Sequence, residues 1–109
     1  MPRPKFTIVK SPENSYYFNL VARDDEKILI SERYSQPVHV VWGIGGVQRS
    51  AAIDARYEKL VGNGGEYYFV LHDGNGAPLG KSAMYPSQAA REGAIDLVKR
   101  YAPEAELEA

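Results

Sequence analysis

The side chains able to do chemistry in this sequence are few and scattered. His39 and His72 are its two histidines, and they fall on different kinds of element at non-equivalent positions, so their spacing gives no metal pair. Each reads as a surface or half-buried residue. Asp24-Asp25-Glu26 is the densest carboxylate run, and neighbouring carboxylates can hold a hard cation or shuttle protons. At the tip of a hairpin, however, such a run reads as solvated charge. Ser31 and Ser82 recur at equivalent places, but no histidine and acid can be assigned to activate either hydroxyl; a small residue beneath a packed helix accounts for both. Gly43-Ile44-Gly45-Gly46 lacks the Gly-Lys-Ser/Thr ending of a phosphate loop and follows no strand. With no cysteine, a thiolate nucleophile, a disulfide framework and Cys-based metal sites are excluded. The expectation is a non-enzymatic chain with no catalytic, cofactor-binding or metal-binding residue.

Bulk composition narrows the partners further. A formal net charge of −1 supplies no concentrated basic patch for nucleic acid and no attraction to anionic lipid. No window reaches the roughly eighteen apolar residues of a spanning helix. The start, Met1-Pro2-Arg3-Pro4-Lys5, leads into a strand-like run and not an apolar signal region, so the expected location is the cytoplasm, in a bacterium. A chain of 109 residues is one domain's worth, here 1–109, with material for one core.

What must position these residues is a duplication. Tyr16-Tyr17-Phe18-Asn19-Leu20 returns as Tyr67-Tyr68-Phe69-Val70-Leu71, a shift of 51. The same shift carries Phe6 to Tyr57, Ile28 to Leu79, Ser31 to Ser82, Tyr34 to Tyr85, Ile44 to Ile95, Val47 to Val98 and Arg49 to Arg100. Repeat one spans 5–54 and repeat two 55–108, each a unit too small to bury its face alone. Each reads as three strands and then a helix. In repeat one the strands are expected over Lys5 to Lys10, Tyr16 to Arg23 and Lys27 to Arg33. In repeat two they are expected over Ala55 to Val61, Glu66 to Asp73 and Pro78 to Met84, with Gly62-Asn63-Gly64-Gly65 and Asp73-Gly74-Asn75-Gly76 as turns.

The second helix announces itself. Ser87 is a suitable N-cap, Ala90, Ala94, Ile95, Leu97, Val98, Tyr101 and Ala102 recur at helical spacing, and Pro103 ends it. Its solvent side is expected to carry Arg91, Glu92, Gly93, Asp96 and Lys99, with Asp96 reaching Arg100 at i,i+4. Read alone, Val38-His39-Val40-Val41-Trp42 favours a strand. The shift overrules that by placing Pro37 on Gln88, at the first helical position where proline is welcome. Residues 37–50 are therefore read as a helix despite Gly43, Gly45 and Gly46. The last residues, Glu104 to Ala109, either add a short edge strand or fray.

The copies disagree most on this first helix. Under the shift, Arg91, Glu92 and Gly93 become Val40, Val41 and Trp42, making helix one apolar all round. Val40, Val41 and Trp42 are thus the candidate interface, with Trp42 as its anchor and a homodimer through helix one as the expected partner contact. Period-two alternation marks a second surface. Tyr16, Phe18 and Leu20, like Tyr67, Phe69 and Leu71, are assigned to the core; Tyr17, Asn19 and Val21, like Tyr68, Val70 and His72, point to the other face. If that face is open, Tyr17 and Tyr68 form a stacking platform, and single-stranded RNA binding is the alternative to protein interaction.

The pattern Phe6-x-Ile8, Tyr16-x-Phe18-x-Leu20, Ile28-x-x-Ser31-x-x-Tyr34 and Gly43-Ile44-x-x-Val47 resembles the YegP-like bacterial proteins. Repeat two is the closer match, with Arg56-Tyr57-Glu58-Lys59, Ser82-x-Met84-Tyr85 and Arg91-Glu92-x-Ala94-Ile95-Asp96-Leu97-Val98-Lys99. The resemblance implies an α+β fold: a tandem of three-strands-then-helix motifs, each with a further short strand, in a single antiparallel sheet with two helices on one face. It also implies that Ile53 to Ala55 and Ala105 to Glu108 are strands exchanged between the copies. It brings no substrate, cofactor or catalytic residue with it. The family's usual Lys- and Ala-rich polar first helix is absent here, a departure that bears on oligomeric state.

Overall fold

The computed structural model describes residues 3–22 and 24–108; Arg23, the expected end of the second strand, lies outside them, as does Ala109. Repeat one supplies β1 (Lys5–Lys10), β2 (Tyr16–Val21), β3 (Lys27–Ser31) and α1 (Pro37–Ser50). A 3-10 turn, Asp54–Arg56, leads into repeat two, with β4 (Tyr57–Val61), β5 (Tyr67–His72), β6 (Pro78–Ser82), α2 (Gln88–Tyr101) and β7 (Glu106–Glu108). All strands join one sheet in the order β4-β5-β6-β3-β2-β1-β7. The two copies meet through antiparallel β3 and β6, where Ile30 faces Lys81, its own counterpart under the shift. A pseudo-twofold axis therefore passes through that pair.

The duplication extends to details of backbone geometry. Positive φ occurs at Asn14 (61°) and Gly65 (81°), and again at Asp25 (66°) and Gly76 (85°), each pair related by the shift. These are turn positions where Gly, Asn and Asp tolerate the left-handed region. Asp24 accepts the Glu26 amide at 3.3 Å, so the acidic run is turn chemistry, as its position at a hairpin tip implied. Each long strand also carries a register shift at the same place, between Leu20 and Val21 and between Leu71 and His72.

The core lies between the sheet and both helices. It joins Phe6, Phe18, Leu20, Ile28 and Leu29 of repeat one, Tyr57, Phe69, Leu71 and Leu79 of repeat two, and the inner faces of α1 and α2. Val40, Ile44 and Val47 anchor α1, whose burial outweighs the strand preference of its valines. Gly43 serves close packing: a Cβ there would stand 2.6 Å from the Tyr34 hydroxyl. In α2 the Ser87 hydroxyl accepts the Ala90 amide at 3.0 Å, as the cap signature required.

Several expectations are corrected. The sheet is not wholly antiparallel, because β7 runs parallel to β1, pairing Lys5 with Glu106 and Thr7 with Glu108. Only this second exchanged strand forms; Ile53 to Ala55 do not, since the link from α1 to β4 is used up by the 3-10 turn. Asp96 and Arg100 make no ion pair, and Arg100 lies instead over the Tyr101 ring, 5.9 Å from its centre. Arg91 is not on the solvent side of α2. It is only 8% exposed, with its guanidinium over Tyr67 and donating to the Leu60 carbonyl at 3.2 Å.

Ser31 and Ser82 also do more than occupy little space. Between the β2–β3 ladder and the isolated Tyr16–Tyr34 bridge, the Phe18 amide has no strand partner; Ser31 Oγ accepts it at 2.9 Å and donates to the Glu32 carbonyl at 2.8 Å. Ser82 repeats both bonds with the Phe69 amide (3.0 Å) and the Ala83 carbonyl (2.8 Å).

Asn19 and Val21 point away from the helices yet are buried, Asn19 being flanked by Thr7 on β1 and Ile30 on β3. The Asn19 amide reaches only the Thr7 hydroxyl, at 3.5 Å, and its Oδ1 has no partner. Repeat two has Val70 at this position. Asn19→Val therefore raises stability by about 1 kcal/mol, by removing an unpaired buried carbonyl and adding a better strand former. Thermal unfolding followed by circular dichroism checks this as a midpoint higher by roughly 4 °C.

Candidate functional site

The two helices treat their outward sides differently. On α2, Glu92 accepts from Lys59 at 2.6 Å and from Arg91 at 3.2 Å, and the Lys59 bond holds its carboxyl below the ordinary range. Lys99 pairs with Asp54, which raises the lysine and lowers the carboxyl. On α1 the positions of Glu92 and Gly93 are taken by Val41 and Trp42, and that of Lys99 by Gln48, whose side-chain amide donates to the Ala102 carbonyl at 3.5 Å. Val38, Val41 and Trp42 are 48%, 47% and 64% exposed, one helical turn apart, with Gly45 next along the same stripe. Val40 does not belong with them: it is fully buried in the core, one helical step round from Val41. Of the three candidate interface residues, the structure brings Val41 and Trp42 together on the surface, adds Val38, and removes Val40.

Behind Trp42, α1 and the β5–β6 turn enclose a groove of about 480 Å³. His39 packs on Trp42 with ring centres 5.2 Å apart, and Tyr34 and Leu79 supply the floor beneath Gly43 and Gly46. The Tyr34 phenol is pushed up from its ordinary value, chiefly by burial. The groove shares Gly46, Arg49 and Asp73 with an adjoining hollow of about 470 Å³, also lined by Arg56 and Asn75. Asp73 accepts the Asn75 and Ala77 amides at 2.8 and 3.0 Å, and these bonds, Ala77 first, hold its carboxyl below the ordinary range. Sequence reasoning missed this site because it is made by elements distant in the chain. One sequence signal is Gly46, where repeat two has Leu97.

Tyr17 and Tyr68 lie on the face opposite the helices, both half-buried. Each ring already has a cation over it, Arg33 at 5.0 Å and Lys81 at 4.9 Å. His72 lies between two acceptors, with Nδ1 3.1 Å from the Gly76 carbonyl and Nε2 2.9 Å from the Glu58 carboxylate, and shares neither with His39. Among the described residues no group of three or more His, Cys, Asp or Glu could hold a metal ion. Nor, among them, is any helix long and apolar enough to cross a membrane.

Comparison with known proteins agrees with the duplication. The family described as "Domain of unknown function (DUF1508)" matches twice, over residues 13–58 and 63–108. A UPF0339 protein of Bordetella pertussis is 41% identical over 98 residues, covering 90% of this chain and 88% of the relative. Another, from Pseudomonas aeruginosa, is 38% identical over 103 residues and covers 94% of each. The solution NMR structure of the protein of unknown function yegP from Escherichia coli superposes with a TM-score of 0.92 at 31% identity, covering 99% of this chain and 93% of that one. Tandem matches across most of the sequence, with full-length relatives in several bacteria, place the chain in the DUF1508, or UPF0339/YegP, family, whose function is unknown.

Proposed function

We propose that this protein is a cytoplasmic, non-enzymatic interaction module that associates with a second copy of itself through the outer face of α1. The observation that carries this is the bare apolar stripe of Val38, Val41 and Trp42 on the one helix that lacks the ion pairs of its counterpart. A twofold contact places a patch against its own image, which an uncharged stripe permits and a charged one penalises. A net charge of −1 adds little mutual repulsion between copies. The serine hydroxyls, His72 and Asp73 are each committed to structural hydrogen bonds, which favours binding over catalysis as the role of the fold.

Analytical ultracentrifugation tests this. The wild type sediments at about twice 12.1 kDa. Trp42→Glu, which puts a charge at the centre of the stripe, sediments as the monomer and keeps its circular dichroism spectrum. Ile30→Glu, on the opposite side of the sheet, remains a dimer. A wild type that is monomeric at micromolar concentration eliminates the proposal.

A further inference from the structure

Trp42 also borders a recess that extends beyond the outer stripe of α1. The groove behind it and the adjoining hollow form one recess with two chemically distinct ends. At the first end Trp42, His39 and Tyr34 present ring surface over a floor completed by Leu79. At the other stand Arg49 and Arg56. The repeat provides an internal comparison. The shift replaces Trp42 by Gly93, His39 by Ala90, Gly43 by Ala94 and Gly46 by Leu97. Both aromatic rim residues thus belong to repeat one alone, and both bare floor positions carry side chains in repeat two. Four departures from the duplicated plan converge on one recess.

Charge at the polar end favours an anion. Arg49 makes no ion pair or hydrogen bond among the described residues, whereas its counterpart Arg100 lies over Tyr101. Arg56 donates one N–H to Ser50 Oγ at 2.9 Å, and its other terminal nitrogen passes beside Gly74, leaving donors over. The one carboxylate lining the hollow, Asp73, is committed to the Asn75 and Ala77 amides. Two guanidinium charges against one carboxylate leave a local excess of one positive charge in a protein whose net charge is −1. That excess matches a monoanion better than a dianion. The recess is the size of a small-molecule site and too short for a folded partner's face.

We infer that the recess between α1 and the β5–β6 turn is a binding site for a small organic monoanion, with a planar apolar body against Trp42, His39 and Tyr34 and a carboxylate on Arg49 and Arg56. The site shares Trp42 with the outer stripe of α1, whereas Val38 and Val41 do not line it and Arg49 and Arg56 lie outside the stripe.

Two-dimensional ¹⁵N NMR titration of the full chain with 2-naphthylacetate tests the site, with neutral 2-naphthylacetamide as the control. The acid produces saturable shifts at the Trp42 indole N–H, the Gly43 and Gly46 amides and the Arg49 Nε–H. The amide binds about tenfold more weakly, the cost of a lost charge-assisted hydrogen bond. Arg49→Gln, at an exposed side chain whose loss leaves the spectrum of the fold intact, weakens the acid by about the same factor and leaves the amide unchanged. Three results overturn the inference: no saturable shift at these positions up to about 10 mM acid, equal affinity for acid and amide, or an Arg49→Gln variant that binds the acid as the wild type does.

Discussion

Phe18→Ala and Phe69→Ala each lower stability by about 3–5 kcal/mol, a large share of the roughly 5–15 kcal/mol available to a domain of this size. Both rings are fully buried, and each meets an aromatic neighbour edge to face: Phe18 with Phe6 at 5.9 Å, Phe69 with Tyr57 at 5.6 Å. Truncation removes the transfer energy of the ring, the edge-to-face contact and the packing around it. The two sites differ in what can relax into the space. Phe18 lies against Gly43, which has no side chain to swing inward, so its cavity persists and its cost sits at the upper end. Urea denaturation followed by circular dichroism measures both. A cost at Phe18 clearly below that at Phe69 would show that α1 shifts bodily to close the void.

The double variant Ser31→Ala, Ser82→Ala loses about 2–6 kcal/mol, because each substitution strands a buried amide at about 1–3 kcal/mol and the two hydroxyls share no partner. The reason lies in the strand geometry and not in side-chain volume. The chain leaves the β2–β3 ladder after Ile30 and rejoins at the Tyr16–Tyr34 bridge, so the intervening Phe18 amide depends on the Ser31 side-chain oxygen. The same detour occurs in repeat two. Amide exchange distinguishes this from general destabilisation: Ser31→Ala accelerates exchange at Phe18 more than at Phe69, and Ser82→Ala does the reverse.

Much of the architecture was readable because the sequence contains its own alignment. The Tyr-Tyr-Phe words fix the register between copies, and that register turns a valine-rich stretch into α1 by laying Pro37 on Gln88. Its failures have a common origin as well. The charge of Arg91 points to solvent in the sequence, and the shift carries that expectation to Val40. Yet Arg91 is buried through its stem and its stacking on Tyr67, and Val40 sits in the equivalent inward position. Side-chain polarity mis-set one helical face and the repeat copied the mistake. The recess was hidden for a different reason: α1 and the β5–β6 turn are about thirty residues apart, and no local periodicity reports where they meet.

The parallel strand β7 has one further consequence. A sheet whose rims offer unpaired backbone invites stacking of chain on chain without limit. Here β7 occupies one rim with only three residues, two of them glutamates paired to Arg3 and Lys5. The rim formed by β4 carries Glu58 and Lys59, each already bound to a neighbour. Charge and brevity thus close both rims of the sheet to an added strand and to fibrous growth by edge pairing.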